Sequence, residues 1–114
     1  MRTALRRERE AVIVPQPLLS EICHLVNSRL GPTVERSFLE GLLASDWAVE
    51  PLTDTDLARA VDLLQIYADA DLGFVDAALV AIAERLGISR LYTLDRRDFA
   101  IVRPAHVERF ELLP

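Results

Sequence analysis

Asp76 stands at the head of an apolar, helix-periodic stretch that closes at Gly87. A short β-like stretch over residues 88–93 follows at once, with Asp95 just past its end. A helix handed directly to a strand, with an acid at the start of the one and past the end of the other, narrows the fold more than any other feature of the chain. The alternation recurs upstream. Residues 12–14 (Val-Ile-Val) read as a short buried strand stopped by Pro15 and Pro17, and Leu18, Leu19, Ile22, Leu25, Val26 and Leu30 then follow a helical period ending at Gly31 with Pro32 behind it. A second helix carries Val34, Phe38, Leu42 and Leu43 on one side, and residues 47–52 read as a strand. Thr53 caps a third helix with Asp54 and Asp56 in its first turn, where carboxylates complement the helix dipole, and with Leu57, Ala60, Val61, Leu64 and Tyr67 as its apolar stripe. Residues 4–10 read as the end of a charged helix, and residues 107–112 as a last edge strand. Strands separated by helices imply right-handed crossovers and a mostly parallel sheet, so the expected class is α/β, in a single domain of 114 residues.

Composition excludes several functions. Hydrophobic residues make up 51% of the chain, which argues against disorder. The longest unbroken apolar run, residues 77–83, is far shorter than the roughly 18 residues a membrane helix needs. A single cysteine, Cys23, rules out an internal disulfide framework and fits a reducing, cytoplasmic setting. The net charge of −5 opposes a passive nucleic-acid binder, which holds phosphates with a basic face. It does not oppose a metal-dependent nuclease, because a bound divalent cation inverts the local sign.

Glu21, Asp76 and Asp95 form the candidate site. Glu21 lies in the first turns of the helix after the 12–14 strand, Asp76 opens a helix, and Asp95 follows the 88–93 strand. In an open α/β sheet, ligands bind in the crevice outside the carboxyl ends of the strands. Any one acid in a first helical turn is explained by the dipole alone. Three at one topological position point to a hard-cation site of the Mg²⁺ or Mn²⁺ type.

Three blocks carry a family resemblance. They are Pro15-Gln16-Pro17-Leu18-Leu19-Ser20-Glu21-Ile22-Cys23-His24-Leu25, then Leu72-Gly73-Phe74-Val75-Asp76-Ala77, then Thr93-Leu94-Asp95-Arg96-Arg97-Asp98-Phe99. In order and spacing they resemble a PIN domain of the VapC toxin type, from about residue 12 to residue 113. The resemblance implies a three-layer sandwich and a metal-dependent endoribonuclease, paired with an antitoxin that blocks its site. It maps the family's acids onto Glu21, Asp76 and Asp95, with Asp98 as an auxiliary metal ligand. Arg96 and Arg97 then face RNA phosphates, and Thr93 orients a carboxylate from behind. A homodimer is the expected assembly.

One part of the pattern is missing. The family opens with a strand ending in an aspartate, and here the first aspartate is Asp46. The expectation is therefore a sheet whose first, central strand is absent, leaving an open groove or a poorly supported centre. The chain would begin at an internal methionine or be a truncated remnant, and the 114 residues alone would be weak or inactive. The alternative function is a catalytically impaired interaction module that binds an antitoxin or its own copy. Of the remaining residues, His24 reads as helix surface or interface, Cys23 as a small buried thiol, and Phe38, Trp47 and Phe74 as core or dimer-interface aromatics.

Overall fold

The computed structural model describes residues 3–6, 12–93, 104–105 and 111–113. In chain order these form β1 (Thr3–Arg6), β2 (Val12–Pro15), α1 (Gln16–Leu30), α2 (Pro32–Ala44), β3 (Ala48–Glu50) and α3 (Asp54–Ile66). A short 3₁₀ turn over Ala68–Ala70, then α4 (Phe74–Leu86), β4 (Arg90–Thr93) and β5 (Glu111–Leu113) complete them. The strands make one sheet in the order β3-β2-β1-β4-β5. β2 and β3 pair in parallel, as do β4 and β5, while β1 runs antiparallel to both β2 and β4. The class is α/β as expected, and four of the five described strands point one way.

The sheet centre differs from the expectation. It is neither open nor empty: β1 lies there, with Leu5 opposite Ile13 on one side and Leu91 on the other. Residues 3–6 are thus strand, not the end of a charged helix. The reason is that β2 and β4 each present a row of backbone donors and acceptors toward the gap, and an extended segment satisfies both rows at once. β1 contains Thr, Ala, Leu and Arg, so the central position carries no acid.

The helices start and stop where the sequence instructs. α1 and α2 share a single hinge residue, Gly31, which ends the first helix and precedes the second with φ +91° and ψ 170°. That region of backbone space is open essentially to glycine alone. Pro32 then supplies a pre-set first helical residue that needs no N–H partner. α4 closes at Gly87, which adopts the left-handed conformation, while Ile88 N–H donates to Ala83 O at 2.8 Å in a Schellman closure.

α4 is the centre of the core. Seven consecutive residues, 77–83, are buried on all sides of the helix, the pattern of a helix enclosed by neighbours rather than lying on a surface. One apolar cluster joins Leu79, Val80 and Ile82 to Ile13 of β2, Leu18 of α1, Leu63 of α3 and Leu91 of β4. The buried face of α3 is Asp56, Ala60 and Leu63, whereas Leu57 and Val61 are exposed. Of the expected stripe, Ala60 is buried and Leu64 and Tyr67 pack against the core, while Leu57 and Val61 turn outward. Asp56, not Leu57, takes the first inward position, because Arg85 of α4 reaches across to it. Arg85 Nε lies 3.0 Å from Asp56 Oδ1, and its other nitrogens donate to Glu50 Oε2 and Pro51 O. A second bridge, Arg59 to Glu84 by two parallel hydrogen bonds of 2.8 and 3.0 Å, ties the same two helices together. Glu84 also accepts from the backbone N–H of Ala105 at 2.7 Å, pinning the chain beside the buried Pro104.

Candidate functional site

The first two turns of α1 build one wall of the principal cleft. Proline at Pro15 and Pro17 forces the chain out of β2 directly into a helix with no side-chain cap. From that start, Gln16, Pro17, Ser20, Glu21 and His24 fall on one helix face, spaced three and four residues apart, and all line the cleft. Leu52, just past β3, and Phe74 and Val75, in the first turn of α4, form the other walls of a cavity of about 660 Å³. β2 and β3 end at this cleft, so it lies outside the carboxyl ends of two parallel strands, where a ligand crevice in an α/β sheet belongs.

Glu21 is half-buried in the second turn of α1, slightly deeper into the helix than a first-turn acid. Asp76 is half-buried, one position after Val75 in the first turn of α4. The structure thus brings Glu21 and the turn that carries Asp76 around one cleft. The route to Asp76 differs from the expected one: α3 and the 3₁₀ turn precede α4, so Asp76 is reached from a helix and not from a strand. Thr93 is the last residue of β4, on the strand next to β1. Asp95, Arg96, Arg97 and Asp98 lie outside the described residues. Among the described residues, no three His, Cys, Asp or Glu side chains stand close enough to hold a metal ion. Glu21 and Asp76 are nevertheless oxygen donors of the kind a hard divalent cation takes.

Ser20 was not singled out by the sequence pattern, and His24 was read as helix surface or interface; both line the cleft beside Glu21. Their spacing from Glu21 and Pro17 was the available signal. Burial pushes the Cys23 thiol up, with Glu35 adding to the effect, the opposite of what activates a thiol. The aromatics are not core residues: Phe38 is half-buried, and Trp47 and Phe74 are exposed at 39% and 45%. They sit at the rims of surface clefts, Phe74 here and Phe38 with Trp47 in a second, smaller one of about 320 Å³ on α2. No helix among the described residues is long and apolar enough to cross a membrane.

Two comparisons bear on this geometry. The family profile of the PIN domain matches residues 1–103. Ribonuclease VapC26 of Mycobacterium tuberculosis (strain ATCC 25618 / H37Rv) is 30% identical over 105 residues, which cover 92% of this chain and 78% of the relative.

Proposed function

The chain belongs to the PIN domain family, and from that premise we propose that it is a metal-dependent endoribonuclease of a toxin–antitoxin pair. The observation that carries the reading is the cleft lined by Glu21 from α1 and by Phe74 and Val75 from the first turn of α4, with Asp76 the next residue. The VapC26 relative is named a ribonuclease, which supports RNA as the substrate class.

In this reading Glu21, Asp76 and Asp95 hold one or two Mg²⁺ or Mn²⁺ ions, with Asp98 as an auxiliary. When bound, such an ion supplies Lewis-acid polarisation of a scissile phosphate and a water acidic enough to attack it. Arg96 and Arg97 grip the RNA phosphates by charge-assisted hydrogen bonds. The hydroxyl of Thr93 orients a neighbouring carboxylate. Partners follow from the same premise: an antitoxin that covers the site, and a second copy of the chain. The outer side of α2 supports a protein partner, since it has no buried residue and leaves Val34 and Leu43 exposed. A cytoplasmic location fits the single reduced cysteine.

The test is cleavage of single-stranded RNA with Mn²⁺ and its loss in a chelator. Glu21→Gln and Asp76→Asn are expected to reduce cleavage to background. They are also expected to abolish the rise in melting temperature that Mn²⁺ gives the wild type through binding to the folded state. A second reading, an impaired module that binds an antitoxin or its own copy, is favoured by the absence of an acid from β1. Under that reading Mn²⁺ changes neither cleavage nor melting temperature, while the chain still dimerises or captures its antitoxin.

A further inference from the structure

Phe74 is 45% exposed although the helix it begins is the most deeply buried among the described residues. Its place in the first turn of α4 sets it on the wall of the cleft, opposite the α1 face that carries Ser20, Glu21 and His24. The lining is of two kinds. Pro17, Leu52 and Val75 are apolar, as Phe74 is, whereas Gln16, Ser20, Glu21 and His24 carry hydrogen-bonding groups. An apolar side chain from a protein partner would desolvate those polar groups without pairing them, which is unfavourable. A nucleobase has the matching make-up: two flat faces for apolar and aromatic walls, and an edge of donors and acceptors.

We propose that this cleft takes one unpaired base of the RNA strand, stacked on Phe74 with its edge toward Ser20 and His24; the assignment rests on the ribonuclease reading above. Recognition of single-stranded RNA relies on splayed bases stacked on aromatic side chains. Stacking also adds to the phosphate contacts of Arg96 and Arg97 an affinity source that needs no net positive charge. At a net charge of −5 the chain gains little from counterion release, and base–aromatic contact does not depend on a basic surface. The cleft, at about 660 Å³, is within the roughly 300–1,000 Å³ of small-ligand sites.

The test uses a short 2′-O-methyl RNA carrying 2-aminopurine, which resists cleavage, titrated with the full chain in Mn²⁺. The wild type is expected to bind and quench the fluorophore by stacking. Phe74→Tyr, which keeps an aromatic face, retains both signals. Phe74→Leu, which keeps the bulk and loses the face, weakens binding about fivefold to a hundredfold and loses the quench. Phe74 is half in solvent, so both variants are expected to melt like the wild type. Wild-type binding without quenching, no binding at all, or equal behaviour of Phe74→Leu and wild type overturns the proposal. So does a Phe74→Leu defect confined to self-association or to binding a protein partner. Cleavage of ordinary RNA by the wild type is scored separately, so quenching without Mn²⁺-dependent cleavage removes the nuclease reading and leaves the base pocket.

Discussion

Asp56 is 2% exposed, and its carboxylate is committed on every side. It accepts from Arg85 and from the backbone N–H of Thr53 at 3.0 Å, while its own N–H donates to the Thr53 hydroxyl at 3.1 Å. Burial alone would push this carboxyl up. The hydrogen bonds from Arg85 and Thr53, with the Arg85 charge, outweigh burial and hold it below the usual carboxylate range. Asp56→Ala removes the buried partner of Arg85, leaving it Glu50 and the Pro51 carbonyl, and removes half of a capping box, so the expected loss is about 2–3 kcal/mol in urea unfolding. The pH dependence has a definite sign. A carboxyl whose folded pKa lies below its unfolded value of about 3.9 contributes its full stabilisation above that value and loses it as pH falls through the folded pKa. The wild type should therefore lose stability below about pH 4, and Asp56→Asn should show a shallower acid limb in melting curves. Thr53 as a cap and Asp56 as a first-turn acid were legible in the sequence. Its burial was not, because its partner Arg85 lies 29 residues away and no local period marks such a pair.

At the scale of elements, the boundaries were the most legible part and the faces the least. Gly31, Pro32, Thr53 and Gly87 announce where helices begin and end, since each answers a local backbone requirement. Which side of a helix turns inward depends on neighbours, and α3 presents Asp56 inward in place of Leu57. Gly31→Ala probes the hinge between α1 and α2. No atom lies within 4 Å of an added Cβ, so the penalty is backbone strain alone, about 1–3 kcal/mol. The measurement is chemical denaturation of the variant, with the Gly41→Ala variant as control. That glycine sits in mid-helix with equally open surroundings, so alanine there should stabilise by about 0.5–1 kcal/mol.

For the whole molecule, the core and the surfaces offered to partners are separable. Leu79 is 1% exposed at the middle of α4, and Leu79→Ala should cost about 2–5 kcal/mol. Leu43 on α2 is 87% exposed, and Leu43→Ser should leave stability within about 0.5 kcal/mol while weakening any assembly that uses that face. Urea unfolding and sedimentation together check both. The alternation of helix and strand was legible because it follows from hydrophobic period. The central β1 was not, since Thr3–Arg6 lack the apolar run of a buried strand and are held by partners distant in the chain.

That strand sets an order of events during synthesis. β1 leaves the ribosome ahead of the other described strands and can pair with β2 once that emerges, as Leu5 with Ile13. Its other edge must wait for Thr93 to emerge opposite Thr3. Until then the nascent chain carries a three-stranded sheet, β3-β2-β1, whose β1 edge is unsatisfied, the kind of edge that recruits foreign strands. Closure between Thr3 and Thr93 raises the contact order and makes the docking of β4, on which β5 then pairs, the slow step in reaching the native state. Leu5→Pro, which deletes a donor in the middle of the sheet, should slow or abolish that step and send the protein into aggregates, as refolding kinetics and light scattering would report.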